Sequence, residues 1–146
     1  MSIKVSTGLR DALLGTDNLK AIFDAGSEIR IYSGAVPADA DAAIGGAVLL
    51  VTIKNGVSGI TFDAAASGGV LAKNPAETWS GTNVASGAPS FYRHVLTADT
   101  GALSTTAPRY QGTVGIGGGD MNLTSTSLTS GATQTLDYHA VALPAG

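Results

Sequence analysis

His94 and His139 are the only imidazoles in this 146-residue chain, and cysteine is absent. General-base chemistry near neutral pH would therefore have to pass through one of these two residues. Each sits in a run that reads as a strand: Phe91-Tyr92-Arg93-His94-Val95-Leu96 and Leu136-Asp137-Tyr138-His139-Ala140. In that setting they are expected to be ordinary sheet-surface residues, whose joint replacement changes nothing. A serine hydrolase of the nucleophile-elbow type needs G-x-S-x-G. Gly56-Val57-Ser58-Gly59 comes near and lacks the final glycine at the right offset.

Carboxylates offer little more. Glu28 and Glu77 are the only glutamates. Asp39-Ala40-Asp41 opens like a calcium loop, but the third acidic ligand, the loop glycine and the closing glutamate are missing. Gly112-Thr113-Val114-Gly115-Ile116-Gly117-Gly118-Gly119-Asp120 invites a phosphate-loop reading, yet it holds no G-K-[ST] and no helix is expected after it. Glycine at this density in a strand-rich chain marks bulges, turns and close backbone approach. Asn122-Leu123-Thr124 matches a glycosylation sequon by chance. These readings assign no catalytic, cofactor-binding or metal-binding residue, and no enzyme activity is expected.

The elements that would position such residues fall into two parts. Thr7 can cap a helix carrying Leu9, Leu13 and Leu14, interrupted by Gly15. Thr16 or Asp17 can cap a second one carrying Leu19, Ile22 and Phe23, with Gly26 beyond its end. Residues 1–26 thus read as an N-terminal arm and short helices packed on the domain. From Glu28 the period changes to two. Strands are expected around 28–32, 48–53, 60–62, 70–73, 77–80, 91–96, 109–116, 121–128 and 133–143. Turn signals such as Asn55-Gly56, Ser67-Gly68-Gly69, Asp99-Thr100-Gly101 and Ser130-Gly131 separate them. Residues 35–46 read as a loop. Phe91 and Tyr92 are adjacent and should point to opposite faces, one in the core and the other at the surface or an interface. The expected fold is all-β: an antiparallel, jelly-roll-like β-sandwich over 27–146 with a short N-terminal helical segment, one domain in all.

Composition narrows the partners. Charged residues are scarce at 13%, glycines number 20, and the net charge is −3. Eight Lys plus Arg cannot make a dominant basic face, so nucleic acid is not an expected partner. The longest strongly apolar run, Ala47-Val48-Leu49-Leu50-Val51, is far short of the ~20 residues of a membrane helix. MSIKVSTGLRDALLG lacks the apolar core of a secretion signal, so folding in the cytosol is expected. A surface poor in charge and rich in small polar residues suits a protein that lives in an assembly, where charges would be desolvated.

Several runs resemble small structural proteins of tailed bacteriophages: Thr7-Gly8-Leu9-Arg10, Ile29-Arg30-Ile31-Tyr32-Ser33-Gly34 with Pro37-Ala38, and Phe62-Asp63-Ala64-Ala65-Ala66. Gly69-Val70-Leu71-Ala72, Trp79-Ser80-Gly81, Ala107-Pro108-Arg109-Tyr110-Gln111-Gly112-Thr113-Val114-Gly115 and Asp120-Met121-Asn122-Leu123 belong with them. Among such proteins the chain looks most like a capsid decoration, or cement, protein. The resemblance implies a homodimer or homotrimer on the capsid exterior, assembled in the host cytoplasm. Its partner would be the major capsid protein, whose neighbouring copies it clamps. Alternatives are a tail, neck or receptor-binding subunit of the virion, or a carbohydrate-binding module. Residues 2–6 alternate enough to add a strand to a neighbour, which makes Ile3, Lys4 and Val5 interface candidates. Deleting residues 1–6 should then leave a folded domain unable to bind particles. Trp79, Arg109 and Tyr110 are the other interface candidates, since Trp, Arg and Tyr dominate interface energetics.

Overall fold

The first helix starts one residue earlier than its composition suggests. Ser6 is the N-cap of α1 (Thr7–Leu14), its Oγ accepting from Leu9 N–H at 3.2 Å. Asn18 rather than Thr16 or Asp17 caps α2 (Leu19–Asp24), accepting from Ala21 N–H at 2.9 Å. Each helix commits one fully buried side chain to the core, Leu9 and Phe23. The computed structural model describes residues 3–116, 119–123, 125 and 127–142. Ser2 of the expected arm, Gly117-Gly118 of the glycine run and parts of the strands expected over 121–128 and 133–143 lie outside the described residues.

The strands are β1 (Lys4–Val5), β2 (Ser27–Ser33), β3 (Val48–Ile53), β4 (Val70–Ala72) and β5 (Trp79–Thr82). They continue with β6 (Phe91–Leu96), β7 (Arg109–Gly115), β8 (Met121–Asn122), β9 (Thr133–Leu136) and β10 (Ala140–Ala142). One six-stranded sheet runs in the order β1-β7-β6-β2-β3, with β8 also paired to β7. Two-stranded pieces, β4-β10 and β5-β9, complete the β structure. Among the described residues only β7 and β8 pair in parallel.

This corrects the expected fold. A jelly roll stacks two sheets of comparable extent. Here one sheet is unclosed, and its partners are two short helices, two short antiparallel strand pairs and loops. The fold is mixed α and β with an unclosed sheet, neither a barrel nor a closed sandwich. The reason is local. Turn residues cut the would-be second layer into runs of three or four residues, and the expected 133–143 strand breaks at Asp137-Tyr138-His139. β5 instead lies along the edge of β3, with Lys54 and Ser80 exchanging two 2.9 Å backbone hydrogen bonds. Gly81 permits that approach, because a Cβ there would lie 2.1 Å from the Thr52 carbonyl oxygen.

Strand register sorts the side chains onto two faces, since directly paired residues share a face. Ile29 pairs with His94, His94 with Tyr110, and Ile31 with Tyr92. This face meets Leu9, Phe23, Ile60, Phe62, Leu71, Trp79 and Leu136 in the main core. On the other face Arg30 pairs with Arg93, and Arg93 with Gln111. That face is roofed by loops. Phe91 and Tyr92 are therefore both fully buried, and neither is left at the surface.

Candidate functional site

Two clusters of polar side chains are inside the chain, one on each face of the sheet. On the core face, β2, β6, β7 and the segment before β10 bring four groups into line. Ser27 Oγ is 2.7 Å from His94 Nε2, His94 Nδ1 is 2.6 Å from Tyr110 Oη, and Tyr110 Oη is 2.8 Å from His139 Nε2. One consistent proton arrangement has Ser27 donating to His94, His94 to Tyr110 and Tyr110 to His139; reversing all three is equally consistent. Phe23 stacks on the His94 ring at a centroid distance of 4.2 Å. Burial, with a smaller contribution from His139, holds His94 well below the usual histidine range. Burial pushes His139 down to about 4. Burial also raises the Tyr110 hydroxyl well above its ordinary value, with Tyr92 adding to it. At neutral pH the chain of groups is uncharged.

A serine bonded to a histidine that a third group orients is the layout of an activated nucleophile. Here Ser27 is fully buried and His94 only 1% exposed. In this conformation no substrate reaches either, and the arrangement is a satisfied core network. This overturns the expectation for the histidines: they are interior residues whose replacement would leave partners unpaired, not surface residues that can be changed freely.

On the opposite face, Arg93 and Arg109 hold down the loops. Arg93 donates to Gln111 Oε1 at 2.8 Å and to the Asp39 carbonyl at 3.0 Å. Arg109 makes a two-pronged bond to Asp99, at 2.6 and 2.9 Å, and donates to the carbonyls of Ala40 and Ala102. Gln111 donates to the Pro37 carbonyl at 2.9 Å. Burial works to raise Asp99, but its hydrogen bonds from Arg109 and the Gly101 N–H, with the guanidinium charge, outweigh it and lower its pKa. Residues 35–46 and 97–107 are thus stapled over the sheet by guanidinium-to-carbonyl bonds, which are stronger than neutral ones.

The candidate residues are engaged within the chain. Lys4 and Val5 pair with Gln111 and Tyr110 of β7, so the N-terminal strand is added to its own sheet. Ile3 packs against the core. Trp79, Arg109 and Tyr110 are each 1% exposed. Ser6 caps α1, accepts from Arg109 N–H at 2.9 Å and donates to the Ala107 carbonyl. Deletion of residues 1–6 would therefore remove a strand and a cap, and the domain is not expected to survive it intact. Sequence reasoning missed the line from Ser27 through His94 and Tyr110 to His139, because its members come from separate strands and carry no local signal of their pairing.

The carboxylates serve the fold in the same way. Glu28 is ion-paired with Arg30, and Glu77 accepts from Thr61 N–H, Trp79 Nε1 and Asn55. Asp41 accepts from Thr7 N–H and Oγ1, tying the 35–46 loop to the start of α1. Among the described residues no group of three or more His, Cys, Asp or Glu is placed to hold a metal ion. No helix among them is long and apolar enough to cross a membrane.

Among the described residues, two surface clefts bear on function. A shallow apolar one of about 530 Å3 lies between the helices and β4-β10, lined by Leu13, Leu19, Leu71 and Val141 among others. A more polar one of about 250 Å3 lies between β8 and residues 135–140.

No family model, no curated protein and no solved structure matches this chain. The sequence resemblance to phage capsid proteins finds no support in those comparisons, and the jelly-roll and β-sandwich architecture expected with it is replaced by the open mixed fold described above.

Proposed function

We propose that this protein is a non-catalytic structural subunit that works by binding other protein surfaces in a large assembly. The assembly we propose is the exterior of a phage capsid, where the chain bridges neighbouring shell subunits. The particular location rests on the resemblance of the sequence runs alone.

The observation that carries the structural reading is the inward use of charge. Of the charged side chains only Lys4, Arg10, Asp11, Asp17, Asp39 and Asp137 are exposed. Arg93 and Arg109 are buried and spent on loop carbonyls. The outer surface is left to small, weakly hydrated groups, which lose little when a partner covers them. The loops that elsewhere would be mobile are pinned, so little order has to be created on binding. A rigid block repeated over a symmetric shell sums weak contacts into a large resistance to separation. Because β1 is occupied by its own sheet, contact through the outer surface fits this chain better than exchange of the N-terminal strand.

Calibrated mass spectrometry of purified particles from the genome that encodes this chain tests the reading. A copy number equal to the major shell protein, or a simple fraction of it, is the expected result. A handful of copies would move the chain to the tail or neck. Absence from every particle would overturn the assembly reading altogether.

A further inference from the structure

We infer that the apolar cleft between the helices and β4-β10 is a docking site for a second copy of this chain, in a twofold pair with the two α1 helices antiparallel. The inference concerns the isolated chain in solution, so it stands or falls apart from the capsid location proposed above.

Leu13 and Leu14 are neighbours on α1, and successive helical side chains point about 100° apart. Leu13 turns into the cleft, beside Leu19, Leu71 and Val141. Leu14 turns outward and is 88% exposed. An exposed leucine by itself says little. One that adjoins an apolar cleft of about 530 Å3 is a knob beside a hole, the form of an interaction surface. Leu14 cannot fill its own cleft, because it points away from Leu13 around the same helix.

The charges beside the cleft select the occupant. Arg10 stands four residues before Leu14 and Asp17 three after it, and both are exposed. Among the described residues neither is in an ion pair, and Arg10 donates only to Thr7 Oγ1, at 2.9 Å. Asp17 lines the cleft. Lys20 lines it too, but is already paired with Asp24. The uncompensated charge at the cleft is therefore negative, and the helix that carries the knob carries a cation. A twofold contact needs a surface complementary to itself, and this one is. Antiparallel pairing about the point between residues 13 and 14 sets Leu14 against the partner's Leu13, at the mouth of its cleft. The same register sets Arg10 against the partner's Asp17, twice over, and Asp11 against the exposed hydroxyl side chain of the partner's Thr16. A parallel pair would set Arg10 against Arg10.

The test is sedimentation equilibrium of the full chain from about 1 µM to about 1 mM, where a dimer with a dissociation constant on the order of 10 µM is expected. Leu14→Gln, Arg10→Glu and Asp17→Arg should each weaken it about tenfold or more. The double variant Arg10→Glu/Asp17→Arg should restore it to within about threefold of the parent, because the pair is re-formed with its signs exchanged. All three positions are exposed, and intact folding of each variant is read from its thermal midpoint at high dilution. A chain that stays monomeric throughout overturns the inference, including one whose cleft takes up an apolar fluorescent dye or a shell protein instead. So does a trimer, a dimer indifferent to all three substitutions, or a dimer that the single charge reversals weaken and the double one fails to restore.

Discussion

Acidification should destabilise this protein through its two buried histidines. Both are held neutral in the folded chain and titrate normally once unfolded. For His139 the unfolded value is 6.5 and the folded value is about 4. The unfolded state therefore binds more protons below pH 6.5, and stability falls as pH drops from 6.5 toward 4. Between pH 7.5 and pH 5, His139 alone accounts for a loss of about 2 kcal/mol. His94 moves in the same direction, so the pair loses more than His139 alone over this range, up to about 4 kcal/mol. Both side chains are almost wholly inaccessible, at 1% and 3% exposure, so solvent screening does not shrink these figures. Against a total of roughly 5–15 kcal/mol this is a large fraction. Trp79, the single tryptophan, is buried beside His139 and serves as a fluorescent reporter of urea unfolding. The urea midpoint should fall by roughly 1–2 M over this pH range. The His139→Gln variant should be weaker at pH 7.5 and lose less on acidification, by about 2 kcal/mol. An unfolding free energy equal at pH 7.5 and pH 5 would refute the buried-neutral assignment.

Three substitutions probe the packing. Asp99→Asn leaves the buried Arg109 guanidinium without its counter-charge, and should cost about 3–5 kcal/mol in urea unfolding. Limited proteolysis should then cut within 35–46 or 97–107, the loops that Arg109 and Arg93 hold; unchanged protection would contradict the stapling role. Gly81→Ala should lower the thermal midpoint sharply, because its Cβ would meet the Thr52 carbonyl at 2.1 Å. Gly46→Ala meets nothing within 4 Å and should be neutral or raise stability by about 0.4–1 kcal/mol.

Local elements were readable because their signals are local. Leu9 and Phe23 on helical faces, the break at Gly15, and the alternation through Ile29-Arg30-Ile31 all correspond to elements of the fold. Phe91–Leu96 forms over the residues its composition marks. The layer count was not readable. A run such as Thr133-Gln134-Thr135-Leu136 looks alike whether it joins a full second sheet or a two-stranded fragment, and only its partner β5 settles which.

The candidate sites show the same division. Residue types by themselves limited the chemistry: two imidazoles, no thiol, two glutamates and few cations. What those groups do was decided by tertiary contacts. Ser27, His94, Tyr110 and His139 become one hydrogen-bonded line only because β2, β6 and β7 are neighbours and the chain returns before β10. Arg93 and Arg109 become loop anchors because the second face of the sheet has no second sheet to bury it, so the loops must, and their carbonyls need donors. Composition records which groups exist; burial and pairing, which depend on residues far away in the chain, determine their charge, their access and their use.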